Sequence, residues 1–306
     1  QHLLPSARPA PVTAYSPGMT DLALPRHRAR SERSSRFLHG NAQLVVSVAI
    51  LALFALMALF PAAFAFADPD DCKLARSLGT PGRGHLFGYD VQGCDYLAQT
   101  VYGTRTSLGL TVLVIVGTTL IALVVGSLAG FVGGRTDAVL SRVTDVWSGI
   151  PLILGGVIVL SGTKERGVPQ VALVLVLFGW PPMVRVLRAS VMEIRARDYV
   201  VAARALGARP SRVLLRHVLP NATRPLIVFA SAYAGVIVAA EATLTFAGVG
   251  LARPTESWGI QLFLAQDRIA QAPHLLIFPG LFVVASVIAF VLLGEALRKR
   301  ASNSSA

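Results

Sequence analysis

Few residues in this chain are placed to do chemistry. One carboxylate, Glu241, stands among apolar residues on both sides, in ALA-type surroundings that read AAEATLTFAGVGL. An ionisable group inside an apolar run is a functional candidate by default. Its position near the end of that run leaves two roles open: a structural hydrogen-bonding role, or a direct contact with whatever the protein acts on. The other reactive patterns are missing. There is no G-x-x-x-x-G-K-[ST] loop to cradle phosphates, no H-E-x-x-H, and no G-x-S-x-G. The six histidines show no ligand spacing, so no metal site and no catalytic residues are expected. Cys72 and Cys94 are the only cysteines. A basic stretch, RDYVVAARALGARPSRVLLRHVLPN over 197–221, lies between two apolar runs, with Arg197, Arg204, Arg209, Arg212 and Arg216 opposed only by Asp198.

These residues are carried by elements that composition makes membrane-bound. The chain is 54% hydrophobic and 14% charged, with a mean hydropathy of +0.61. Charge-free runs cover 40–67, 106–134, 146–163, 167–184, 225–240 and 269–294. About 20 residues cross a bilayer, so six helices are expected, the first from about Ala42 to Phe66. The fold class is therefore all-α, a polytopic membrane protein with six transmembrane helices. Residues 1–40 should form a largely disordered tail, in which Arg26, Arg28, Arg30, Arg33 and Arg36 approach the membrane. The first helix occupies 41–67, an extracytoplasmic loop 68–103, a five-helix core 104–300 and a short tail 301–306. The first apolar run starts after some forty residues and exceeds a signal peptide's apolar core, so no cleavable signal is expected.

Orientation follows the positive charges. Residues 1–41 carry six Lys/Arg against two acids, 184–224 carry nine against two, and the tail from Glu295 carries three against one. Residues 67–105 carry four against five. The basic side is cytoplasmic, which puts both termini and the 197–221 loop in the cytoplasm. It also puts Cys72 and Cys94 together on the oxidising side, where a disulfide is expected. The net charge of +12 reflects topology and anionic-lipid contact rather than nucleic-acid binding.

Local signals refine this. Asp198 is placed to cap a short helix starting at Tyr199. Val200, Ala203 and Leu206, with Ala202 and Ala205, give that helix a small apolar surface beside Arg204, and Gly207 ends it. Pro210 suits the first turn of a second short helix carrying Val213, Leu214 and Val218. Gly126 and Gly130, four apart, permit close helix approach. Pro181 and Pro182 break or kink the fourth span. Asp137 and Asp145 are expected to pair with Arg135 and Arg142. Trp258 should sit at the membrane interface, opening a short amphipathic helix to about Ile269.

Several of these segments resemble one family. Ala202-Ala203, three residues, Gly207, nine residues and then His217-Val218-Leu219-Pro220 resemble the "EAA" loop of ABC importer permeases, with Val201 where the family has Glu. His85–Leu108, GRTDAVLSRVTDVWSGIP, Ala240–Leu251 and Glu256-Ser257-Trp258-Gly259 resemble further segments of the same family in the same order, with Tyr89 and Cys94 replacing the usual Thr and Arg. The resemblance covers about residues 85–300 and is to the C-type permease subunits of dipeptide, oligopeptide and nickel ABC importers. It implies the type I importer fold and a non-enzymatic, pore-forming subunit. It also implies a B-type permease partner, one or two cytoplasmic ATPases that bind ATP and Mg, and an extracytoplasmic substrate-binding protein. Asp198, Ala202, Ala203, Arg204, Gly207, Leu219 and Pro220 would then couple the pore to the ATPase. A secondary transporter of small solutes is the rival reading, for which Glu241 alone is thin support.

Overall fold

The computed structural model describes residues 26–303, with side chains described over 42–302. The tail arginines named above therefore lie outside the described side chains. The described residues from Gly40 onward belong to one compact unit, and residues 1–25 of the tail expected to be disordered lie outside the described residues. All regular elements among the described residues are helical. They are α1 (Arg26–Leu59), α2 (Tyr96–Val132), α3 (Gly134–Ser148), α4 (Leu152–Ser161), α5 (Val168–Gly179), α6 (Pro181–Arg195), α7 (Asp198–Ala205), α8 (Pro210–Val213), α9 (Leu219–Phe246), α10 (Trp258–Ala265) and α11 (His274–Asn303).

Six spans were expected, and the helices distribute that number unevenly. Four stretches are long and apolar enough to cross a membrane unbroken: Ala42–Leu59, Tyr96–Val132, Pro210–Phe246 and His274–Ser302. The other two are bent pairs, α3 with α4 at 72° and α5 with α6 at 47°. α1 stops at Leu59 rather than running on to residue 67, because Pro61 opens a separate 3₁₀ turn, Pro61–Ala63. α2 begins about ten residues before its charge-free run, because Asp95 caps it by accepting a hydrogen bond from Ala98 N at 2.9 Å.

The break between α5 and α6 has an identifiable chemistry. Pro181 has no N–H for the Leu177 carbonyl, so the helical ladder is interrupted there. The Trp147 indole N–H, from α3, donates to that same Leu177 carbonyl at 2.6 Å. The Tyr233 hydroxyl, from α9, donates to the Gly179 carbonyl at 2.9 Å. The Leu177 and Gly179 carbonyls thus each gain a side-chain donor from another helix.

Small residues set the helix crossings. A Cβ at Gly126 would sit 3.0 Å from the Val184 carbonyl of α6, and one at Gly130 only 2.8 Å from that of Arg188. α2 therefore packs backbone to backbone on α6. A Cβ at Gly294 of α11 would lie 2.7 Å from the Ala232 Cβ of α9 and 3.1 Å from its backbone N. Around these crossings a continuous core forms from Leu110, Leu160, Leu175, Met183, Leu187 and Ile237.

The disulfide end carries a capped loop. Cys72 and Cys94 are joined, with Cα atoms 4.0 Å apart. Lys73 N donates to the Gly93 carbonyl at 3.2 Å and Leu78 N to that of Asp90 at 3.0 Å. Phe87 stacks on Phe278 of α11 with ring centroids 3.9 Å apart, and the Tyr96 hydroxyl donates to the Leu275 carbonyl. Arg253 lies 3.9 Å from both Asp90 and Glu256. Burial pushes the Glu256 carboxyl above its ordinary range, helped by Asp90 and Asp70 and opposed by Arg253.

Two outcomes are expected of this loop. Non-reducing peptide mapping should recover a linked Cys72–Cys94 peptide, and replacing both by Ser should lower stability by about 3 kcal/mol, the chain-entropy value for a loop of this size. For Glu256, the raised value means that the folded state favours the protonated acid. Its contribution to stability is full below the unfolded value and is lost as pH rises through the folded one. Glu256→Gln should therefore flatten the decline in melting temperature between acidic and neutral pH, as read by scanning fluorimetry.

Candidate functional site

Two places gather the residues that the sequence singled out. The first is Glu241, in the last third of α9, with no exposure to solvent. Its carboxyl accepts from the hydroxyls of Thr245 (3.0 Å), Ser257 (3.4 Å) and Ser107 (3.4 Å). Each hydroxyl has a second task. Thr245 Oγ1 accepts from Leu251 N, Ser257 Oγ caps α10 by accepting from Ile260 N, and Ser107 Oγ accepts from Trp258 N. The backbone must come close for this: a Cβ on Gly259 would lie 3.0 Å from Glu241 Oε1. Glu241 thus joins α2, its own helix α9, and the turn that opens α10. Such a fully connected polar knot fixes the relative placement of the three.

Trp258 belongs to the same knot and corrects an expectation. It is fully buried, not interfacial. Its indole N–H donates to the Thr100 carbonyl at 3.1 Å, and its ring packs against Phe54 and Phe282. The short helix that it opens ends at Ala265, followed by a 3₁₀ turn over Gln266–Arg268.

The second place is the basic loop. α7 spans Asp198–Ala205, and its N-cap is Arg197 in an extended conformation with no side-chain capping bond. Asp198 is therefore the first helical residue rather than the cap. Its carboxylate lies in the first turn, where the helix dipole favours a negative charge. The helix ends in a Schellman motif: Ala208 N donates to the Ala203 carbonyl at 3.1 Å and Gly207 N to that of Arg204 at 2.9 Å. Gly207 has φ +80°, a left-handed conformation that a side chain resists.

The apolar surface of α7 differs from expectation by one residue at its start, with Val201 rather than Val200 facing outward. Val200 is buried, anchoring the loop with Val213 and Val218. What faces outward is Val201, Ala202, Ala205 and Leu206, with Leu206 89% exposed. Ala203 is half-buried beneath them. Arg204 lies over the Phe131 ring of α2, 4.8 Å from its centroid. α8 is not a separate element at an angle to the next span. It runs through a π turn, Leu214–Val218, directly into α9, whose first two residues are Leu219 and Pro220. The wide turn absorbs the hydrogen bond that Pro220 cannot make.

The acids of α3 also pair differently. Asp137 is bonded by Arg188 through Nε (2.5 Å) and Nη2 (2.7 Å), and Asp145 by Arg185 at 3.1 Å. Arg135 and Arg142, on α3 itself, are exposed on other faces of that helix. Spacing along one helix could not reveal partners on another. The same holds for Ser107, which lies 134 residues from Glu241. For Thr245 and Ser257 the available signal was that both sit close to Glu241 in sequence.

With this geometry described, comparison with known proteins is decisive. Residues 122–303 match the family of binding-protein-dependent transport system inner membrane components. The chain belongs to that family and is a multi-pass membrane protein. It is 31% identical to the oligopeptide transport system permease protein OppC of Bacillus subtilis, over 84% of each chain. It is 30% identical to the dipeptide transport system permease protein DppC of Alkalihalophilus pseudofirmus, over 85% of this chain and 86% of that one. It is 31% identical to the nickel transport system permease protein NikC of Escherichia coli, over 86% of this chain and 94% of that one.

The Glu241 knot yields a test by substitution. Glu241→Gln keeps the acceptor and should preserve assembly and melting temperature. Glu241→Leu leaves three buried hydroxyls without their acceptor and should cost about 1–3 kcal/mol, seen as a lower melting temperature and reduced yield of the purified protein. If instead the Gln variant assembles normally but loses transport at every pH, the charge itself is required.

Proposed function

We propose that this chain is one half of the pore of an ATP-driven importer for peptides, and that α7 couples it to a cytoplasmic ATPase. The cargo follows from the relatives: OppC and DppC are named for oligopeptide and dipeptide transport. In this reading the second half of the pore is a related B-type permease. One or two ATPase subunits hold ATP and Mg, and a binding protein delivers cargo from outside. Both termini and the 197–221 loop are cytoplasmic, on the grounds of arginine distribution.

The observation that carries the coupling role is the exposed tip of α7. Leu206 projects almost entirely into solvent at the end of a short helix, beyond the apolar spans and among arginines. An exposed leucine, flanked by Val201 and held by a left-handed glycine, is built for insertion into a partner. Burying one leucine is worth about 1.5–3 kcal/mol, or roughly tenfold to a hundredfold in affinity. Asp198 and the dipole orient α7. Ala202 and Ala203 keep its surface thin. Leu219 and Pro220 start the span that receives its motion. Glu241 holds the far end of that same span to α2 and α10.

The test is co-purification. Leu206→Asp should lower ATPase association by about ten- to a hundredfold while the permease remains in the membrane. Gly207→Val should do the same by disrupting the helix end, and Ala203→Arg by adding bulk and charge to a half-buried contact. Association unchanged in all three would show that α7 is not the docking element.

A further inference from the structure

The arginines that follow the α5–α6 break do more than mark the basic side. Two from α6 and one from α7 reach the α2–α3 corner, and a third from α6, Arg185, reaches the far end of α3. Arg185 donates to Asp145 (3.1 Å) and Ser148 (2.8 Å) of α3. Arg188 grips Asp137 near the start of α3 with a two-pronged bond. Arg195 donates to the Phe131 carbonyl in the last turn of α2 at 3.1 Å. Arg204, already on α7, covers the Phe131 ring. The corner is shaped to receive them. Gly133 adopts φ +74°, and a Cβ there would lie 2.9 Å from Arg195 Nη1.

The polar residues of this seam form one face of α3: Asp137, Ser141, Asp145 and Ser148 recur at spacings of three to four residues. Ser141 itself donates to Asp137 Oδ1 at 3.1 Å. α3 therefore meets α6 through polar bonds, while α2 meets α6 through glycines. A cavity of about 310 Å³, lined by Ser141, Thr144, Asp145, Arg185 and Arg188 among others, lies beside the seam. Packed apolar surfaces resist sliding because every contact must be remade at once. A guanidinium–carboxylate seam with open space beside it can shift while its charges remain paired.

We propose that this arginine ladder is the element that carries movement of α7 to α3 and α4. Asp137 and Arg188 are its central positioning pair. α7 is joined to α6 by only Ala196 and Arg197, and its own Arg204 touches the α2–α3 corner directly. A push on α7 is thus delivered to that corner by two routes, along α6 and through Arg204. The ladder converts both into displacement of α3. α4 follows, because only Gly149, Ile150 and Pro151 separate it from α3. Coupling of this kind can travel along a chain of hydrogen bonds and ion pairs, and the four arginines supply one. The proposal rests on the coupling role given above to α7.

The experiment uses the assembled transporter, permease pair with ATPases, in lipid nanodiscs. A single reporter, Ser161→Cys at the exposed end of α4, is alkylated in the absence and presence of ATP with vanadate. The native cysteines are held in their disulfide and do not compete under non-reducing conditions. The unaltered ladder should give a vanadate-dependent change in alkylation rate. Asp137→Asn with Arg188→Gln keeps hydrogen bonding but removes the charges. It should abolish that change while ATPase co-purification stays normal. The exchange Asp137→Arg with Arg188→Asp should restore the change, and a melting temperature unaltered in the neutral pair separates lost coupling from lost folding. An undiminished response in the neutral pair, with the ATPase still bound, would overturn the ladder and leave the role of α7 intact. Failure of Leu206→Asp and Gly207→Val to release the ATPase would overturn both.

Discussion

A carboxyl group sealed from water has to be satisfied by its neighbours, and the burial of Glu241 organises one end of this protein. In the low-dielectric interior an unsatisfied carboxyl would be costly. The hydroxyls of Ser107, Thr245 and Ser257 meet that demand, and they come from three separate segments. Satisfying one residue therefore fixes α2, α9 and the start of α10 against each other. Trp258 follows, since its backbone N–H joins the knot and its ring is drawn under Phe54 and Phe282. The disulfide loop then packs on the same scaffold through Phe87 and Tyr96.

The opposite end is organised by charge rather than by hydroxyls. There the arginines of α6 and α7 are divided among carboxylates, a backbone carbonyl and an aromatic face. Guanidinium suits this work because its planar fork donates in several directions and stacks on rings. The two ends are joined by α9, which starts beside the basic loop and finishes at Glu241. One end is closed and rigid. The other is polar, partly open and attached to a short exposed helix.

Much of this was legible from sequence, and the limits have physical causes. Charge-free runs marked the spans because lipid imposes that composition. Gly207, the Gly126–Gly130 pair and Pro181–Pro182 declared themselves because each is a backbone requirement expressed by one residue. The apolar surface of α7 was assigned partly to Val200, because an eight-residue helix is too short for periodicity to distinguish its inner and outer faces. Asp137 and Asp145 were given partners on their own helix, since pairing across helices leaves no trace in local spacing. Trp258 was placed at an interface by residue type, whereas its burial is decided by a hydrogen-bond knot centred seventeen residues earlier.

The bent pairs bear on how the chain enters a membrane in the first place. α4 has ten residues and α5 twelve, or roughly 15 and 18 Å of helix at the α-helical rise. Hydrocarbon about 30 Å thick is not crossed by either. Their extensions, α3 and α6, carry charges that pair across the two helices, Asp137 with Arg188 and Asp145 with Arg185. During synthesis α3 and α4 therefore emerge before the arginines that complete them exist. Asp137 and Asp145 thus meet their partners only after residue 188 has been made, so the polar seam between the two bent pairs is completed late, whereas each pair is apolar enough to count as a span by itself.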